Sequence, residues 1–162
     1  GKVVNIASRC AGFLRKKFAN TLSDHCEEPA LVQSFIAAGD DIAALYEARE
    51  FSRAMREIIA LADQANQYID EKKPWVLAKE PGKENEVQAV CSVGINLFRA
   101  LITYLKPVLP VMAERSEAFL KISLDWHLLE SPLLGHELDD FKPLLQRVDP
   151  DNVSAMVEGG KS

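Results

Sequence analysis

The stretch VQAVCSVGINLFRALITYLKPVLP, residues 87–110, decides the fold. Val87, Val90, Cys91, Gly94, Leu97, Phe98, Leu101, Ile102 and Leu105 recur at helical spacing, and the positions between them are mostly apolar too. A helix that is apolar on nearly every face needs neighbours all round, so this one is expected at the centre of a bundle. Pro107 and Pro110 end it and open the next helix. The apolar run from Gly94 to Ala113 is broken by Arg99, Lys106 and both prolines, so it does not read as a membrane span, and no membrane partner is expected.

Working outward, a fifth helix runs from Val111 to about Leu120, with Glu114 and Arg115 in its first turns. Leu124 to Gly135, which holds Pro132, reads as extended and irregular. A last short helix is expected after Asp149, with Pro150 at its first position. Toward the N-terminus, Val3, Ala7, Cys10, Leu14 and Phe18, flanked by Val4, Ile6 and Phe13, give a helix from Val3 to Leu22. Its opposite stripe holds Asn5, Arg9, Gly12 and Lys16. A glycine inside a helix costs roughly 1 kcal/mol relative to alanine, so Gly12 predicts close approach by a second helix or by a nucleic-acid backbone.

A second helix starts at Pro29 and buries Leu31, Phe35, Ala38, Ile42 and Leu45. A third starts near Glu50, carries Phe51, Met55, Ile58, Ile59, Ala62, Ala65 and Ile69, and stops at Pro74. Its residues Arg53, Arg56, Asp63 and Asn66 read as a solvated or bundle-edge face. Glu80-Pro81-Gly82-Lys83 is the loop before the central helix. The class is therefore all-α, a bundle of about five main helices, with no sheet core and no internal repeat. Residues 1–148 form the helical domain, and 149–162 a C-terminal helix or the start of a linker, with Gly159-Gly160-Lys161-Ser162 a frayed end by composition.

The 162 residues, 48% hydrophobic and 27% charged, have the balance of a globular domain. A chain of this size buries about 68–70% of its unfolded surface. Cys10, Cys26 and Cys91 are odd in number and lack metal-type spacing, which suits a reducing, cytoplasmic setting. No signal peptide is read at Gly1-Lys2-Val3-Val4, and the absent initiator Met suggests a piece of a longer protein. The net charge of −5 is unevenly spread, because Lys2, Arg9, Arg15, Lys16 and Lys17 all precede the first acidic residue, Asp24. A basic surplus in one helix is either a solvated face or an electrostatic footprint for nucleic acid.

Catalytic chemistry is hard to find here. His25, His127 and His136 lie in regions read as loops, without a metal-ligand partner at helical spacing. There is no Gly-rich phosphate cradle, no Gly-x-Ser-x-Gly turn and no Glu-x-x-His pair. Binding chemistry is better represented. Trp75, after Pro74 and beside Lys72 and Lys73, can either cover a bundle end or stack on a base. Asn5 and Arg9, four apart on a polar stripe, can hydrogen-bond a base edge. Trp126, between Leu124 and Leu128, reads as packing.

Those residues carry a resemblance. Asn5-Ile6-Ala7-Ser8-Arg9, Gly12-Phe13, Arg49-Glu50-Phe51, Ala60-Leu61-Ala62-Asp63, Ala65-Asn66 and Pro74-Trp75 resemble the anticodon-binding domain of bacterial methionyl-tRNA synthetase, a class I aminoacyl-tRNA synthetase. The similarity continues through Gly94-Ile95-Asn96-Leu97-Phe98-Arg99 and from Tyr104 to Pro110, and reaches Pro132-Leu133-Leu134-Gly135. The Leu-x-Pro-x-x-Pro step followed by Glu114 is shared by several class I synthetases; the Asn-x-x-x-Arg pair with Pro-Trp is the narrower signal.

The resemblance implies that Trp75 stacks on the first anticodon base, the cytosine of CAU, while Asn5 and Arg9 bond its Watson–Crick edge and Pro74 directs the indole. It makes Lys2, Arg15, Lys16, Lys72, Lys73 and Lys79 the candidates for phosphates of the anticodon stem. The implied partners are the anticodon stem-loop of tRNA(Met) and a catalytic domain N-terminal to Gly1. The implied parent enzyme joins methionine to tRNA with ATP and Mg, with Zn a further candidate, in its catalytic part. This chain lacks the His-Ile-Gly-His-type and Lys-Met-Ser-Lys-Ser-type signatures, so no catalytic residue, metal or cofactor is expected in it. Two rival readings are the anticodon domain of a valine, isoleucine or leucine synthetase, and a helical protein-interaction module with an exposed apolar patch on one helix pair.

Overall fold

The structure, a computed structural model, describes residues 2–142. In chain order its helices are α1 (Lys2–Phe18), α2 (Pro29–Ala37), α3 (Gly39–Glu47), α4 (Phe51–Lys72), α5 (Pro74–Leu77), α6 (Glu84–Leu105) and α7 (Pro110–Leu120). A 3-10 turn, Trp126–Leu128, lies in the tail after α7. Among the described residues there is no strand, only an isolated bridge between Thr21 and Glu137.

As its apolar faces require, α6 is the hub. It is buried along almost its whole length and touches α1, α2, α3, α4, α5 and α7. By length and composition α6 could cross a membrane, but its apolar surface is spent inside the bundle. Its most extensive contact is with α1. A Cβ on Gly94 would stand 2.6 Å from Cys10 Sγ, so this glycine is what lets the two helices cross.

The helix crossing is therefore at Gly94 and not at Gly12, which is exposed and has nothing of this chain within 4 Å of its missing Cβ among the described residues. Helix α1 also ends at Phe18, short of Leu22. Ala19 (φ 51°) and Asn20 (φ 61°) turn left-handed, and the Asn20 amide N–H closes the turn onto the Leu14 carbonyl at 3.0 Å.

The predicted second helix is two helices, broken at Ala38–Gly39. The Tyr104 hydroxyl donates to the carbonyls of Phe35 (2.6 Å) and Ile36 (3.1 Å), which an unbroken helix would use for the N–H groups of residues 39 and 40. Trp126 Nε1 donates to the Gly39 carbonyl at 3.2 Å, and any side chain at Gly39 would crowd both aromatics. Trp126 is thus a packing tryptophan, edge-on to Tyr46 and 5.3 Å from Tyr104 between ring centroids. Leu31, Ala38 and Leu45, expected on the buried face, are only half-buried.

Helix α4 is buried through Ala54, Ile58, Ala62, Ala65, Tyr68 and Ile69, whereas Phe51 (50% exposed) and Ile59 (47%), members of the same apolar pattern, face outward. The helix expected after Asp149, and the boundary between residues 148 and 149, lie outside the described residues.

Candidate nucleic-acid interface

The polar stripe of α1 meets a polar stripe of α4. Lys2, Asn5 and Arg9 are spaced three and four apart, and Asp63, Asn66 and Asp70 repeat that spacing. The partners pair in order, Lys2 with Asp63 (2.8 Å), Asn5 with Asn66 (3.4 Å) and Arg9 with Asp70. Both numbers rise together, so α1 and α4 run in the same direction with a constant register. Along that register the next contact is Lys17 Nζ donating to the Ala78 carbonyl at 3.1 Å. Lys2, Asn5, Arg9, Asp63, Asn66 and Asp70 line an open depression on this seam.

Trp75 is brought to the same place by the end of α4. Lys73 adopts a left-handed backbone (φ 51°), in keeping with the bar that a following proline sets on right-handed helix. Its carbonyl accepts from the Val76 (2.9 Å) and Leu77 (3.1 Å) N–H groups, starting α5. Pro74 is buried at the first position of α5, and Trp75 is left 38% exposed. The Arg9 guanidinium carbon lies 5.0 Å from the centroid of the indole, over its face.

The structure therefore brings Arg9 onto Trp75, and Asn5 and Arg9 together onto Asn66. Arg9 NH1 donates to Asn66 Oδ1 at 3.3 Å, and its NH2 to Asp70. Asn66, assigned in the sequence to a solvated or bundle-edge face, is half-buried and touches both stripes. Asp63 and Asp70 bring negative charge to a seam where the sequence suggested only positive. The matched spacing of the two stripes was a usable signal for all three residues.

The six candidate phosphate contacts separate into two sets. Lys2 is paired with Asp63, Arg15 lies 3.7 Å from Asp140, and Lys72 lies 3.9 Å from Glu28. Lys16, Lys73 and Lys79 are exposed and form no ion pair among the described residues. Also among the described residues, no three His, Cys, Asp or Glu side chains are grouped as a metal would need. Cys10 and Cys91 are buried thiols; their mutual hydrogen bond, with burial, pushes the Cys91 thiol well up.

An all-α bundle that gathers Asn5, Arg9, Asn66 and an exposed tryptophan on one seam, its cations matched by Asp63 and Asp70, has the side-chain types suited to a single-stranded base. Residues 21–142 match the family model described as the anticodon binding domain of methionyl tRNA ligase, and the chain belongs to that family. The matched span includes Pro74, Trp75 and Asn66 but not α1.

The fold is shared with crystal structures of Mycobacterium tuberculosis methionyl-tRNA synthetase. The apo form has a TM-score of 0.76 at 17% identity over 85% of this chain. A form bound by methionyl-adenylate has a TM-score of 0.80 at 18% identity over 88% of it. In both, this chain spans 30% of the solved chain. The family match sets aside the valine, isoleucine and leucine alternatives and the protein-interaction module.

Proposed function

We propose that this chain reads the CAU anticodon of a methionine tRNA for a longer, cytoplasmic methionine–tRNA ligase. The observation that carries the reading is Arg9, held 5.0 Å from the ring centroid of an exposed tryptophan while Asn66 ties it to Asn5. Trp75 stacks on the unstacked first cytosine, supplying affinity that any base could claim, about 1–3 kcal/mol. Asn5 and Arg9 supply choice by bonding the base edge, and buried Pro74 fixes the direction of the indole. Lys16, Lys73 and Lys79, the three of the six candidate cations that form no ion pair among the described residues, take phosphates of the anticodon stem.

Methionine activation with ATP and Mg, and any Zn, belongs to a catalytic domain outside this chain. A solved relative bound by methionyl-adenylate supports that division, since its chain is more than three times as long as the part matched here.

The test is a low-salt fluorescence titration with anticodon hairpins carrying CAU or UAU. A Trp126→Phe background leaves Trp75 as the sole indole, at the loss of the bond to Gly39. Quenching by CAU at concentrations where UAU does little is the expected result. Equal quenching would reduce the domain to a non-selective RNA binder, and no response to either would remove the reading.

A further inference from the structure

The seam between α1 and α4 contains a chain of hydrogen bonds whose direction chemistry fixes. Asn66 Nδ2 donates to two backbone carbonyls, those of Lys2 (3.1 Å) and Ala62 (3.1 Å), which can only accept. On its other side Asn66 faces Arg9 NH1, which can only donate. Reversing the Asn66 amide would set oxygen against oxygen on one side and N–H against N–H on the other. Its Oδ1 therefore points at the pocket, where it also meets Asn5 at 3.4 Å. Asn5 in turn must offer its NH2 to that oxygen, and its own Oδ1 is left with no hydrogen bond among the described residues.

We propose that Asn66 is a positioning residue that sets the donor–acceptor polarity of the base pocket, holding Asn5 with its carbonyl oxygen outward beside the donors of Arg9. This deepens the anticodon reading above and rests on it. The exposed edge then reads acceptor, from Asn5, next to donor, from Arg9, which still has N–H groups beyond the two given to Asn66 and Asp70. Cytosine presents the complement, an exocyclic amine beside the N3 and O2 acceptors. Uracil places a carbonyl where the amine would be and meets Asn5 oxygen to oxygen. The selected feature is thus an amine next to a ring acceptor, a property that Asn5 by itself, free to rotate its amide, would not impose.

The experiment uses this chain with three hairpins, carrying cytosine, uracil or pyrimidin-2-one, which is cytosine without its amine, at the first anticodon position. The wild-type protein is expected to bind the pyrimidin-2-one hairpin about five- to tenfold more weakly than the cytosine one, the worth of one hydrogen bond. In Asn66→Ala that preference is expected to fall within about twofold, while Trp75 quenching at saturation persists and Asn5→Ala adds nothing further.

An undiminished amine preference in Asn66→Ala would overturn the inference. So would an equal loss for all three hairpins with the preference intact, which would make Asn66 a strut between helices. A wild-type protein indifferent to all three bases would overturn the anticodon reading itself, and this inference with it. If Asn66→Ala does not fold, Asn66→Ser is measured against the same outcomes, since its hydroxyl can still bond the Ala62 carbonyl but is too short to orient Asn5.

Discussion

Asn96 and Arg99 on α6, and Asn5 and Arg9 on α1, are the same two side chains about one turn apart, the first pair buried and the second at the surface. Asn96 donates to the carbonyls of Ser92 (3.0 Å) and Leu133 (3.2 Å) and accepts from the Leu133 N–H (2.7 Å). Arg99, only 4% exposed, donates to the carbonyls of Ser131 and Leu128, both at 2.9 Å, and burial lowers its pKa. The buried pair holds the irregular tail against the central helix. In the open pair, among the described residues, Asn5 keeps an acceptor unused and Arg9 keeps donors unused. The same chemistry is structural where the chain's own carbonyls take up its donors, and free to recognise a ligand where they do not.

Arg99→Met should separate the two pairs most sharply. It strands two tail carbonyls and is expected to lower unfolding free energy by about 2–4 kcal/mol in urea titrations, leaving RNA binding by the folded protein unchanged. Trp75→Ala should do the reverse. Hairpin affinity is expected to fall by about 1–3 kcal/mol with the circular dichroism spectrum intact; loss of the fold would instead make this tryptophan a cover for the bundle end.

The glycines of the two helices give a smaller contrast. Gly94→Ala drives a methyl onto Cys10 Sγ and should destabilise by about 1–3 kcal/mol. Gly12→Ala meets open space and should stabilise by up to about 1 kcal/mol, read as a higher thermal midpoint.

The smallest effect concerns how the tail begins. Burial works against ionisation of Glu117, but the Leu124 N–H (2.7 Å) and Lys106 Nζ (3.1 Å) outweigh it and hold its pKa below the ordinary 4.5. A lowered carboxylate stabilises above its unfolded pKa and loses that contribution as pH falls through the folded one. The thermal-midpoint gap between wild type and Glu117→Gln should be full near pH ~6 and close progressively below 4.5.

The all-α class and the central place of residues 87–105 were legible because all-round apolarity admits few other arrangements. Asn5, Arg9 and Pro74-Trp75 were legible as residue types suited to a base, made specific by resemblance. Three features escaped local reading. The break at Gly39 depends on hydroxyl and indole donors from Tyr104 and Trp126, both distant in sequence. A helix crossing was one of two readings of Gly12, because periodicity reports which face a glycine occupies, not what lies opposite. Phe51 and Ile59 share the apolar spacing of α4 yet stay exposed, because spacing carries no account of where neighbouring helices end.

The sequence by itself determined the helices, the hub and the kinds of side chain available for recognition, since these follow from periodicity, proline placement and composition within short stretches. Only the tertiary structure decided which polar groups are spent and which are left over. The parallel register of α1 and α4 puts Asn66 between Asn5 and Arg9, and the carbonyls of Lys2 and Ala62 orient it. A hydrogen-bonding group becomes a recognition group through what its neighbours have not used, and that is a property of groups brought together from opposite helices.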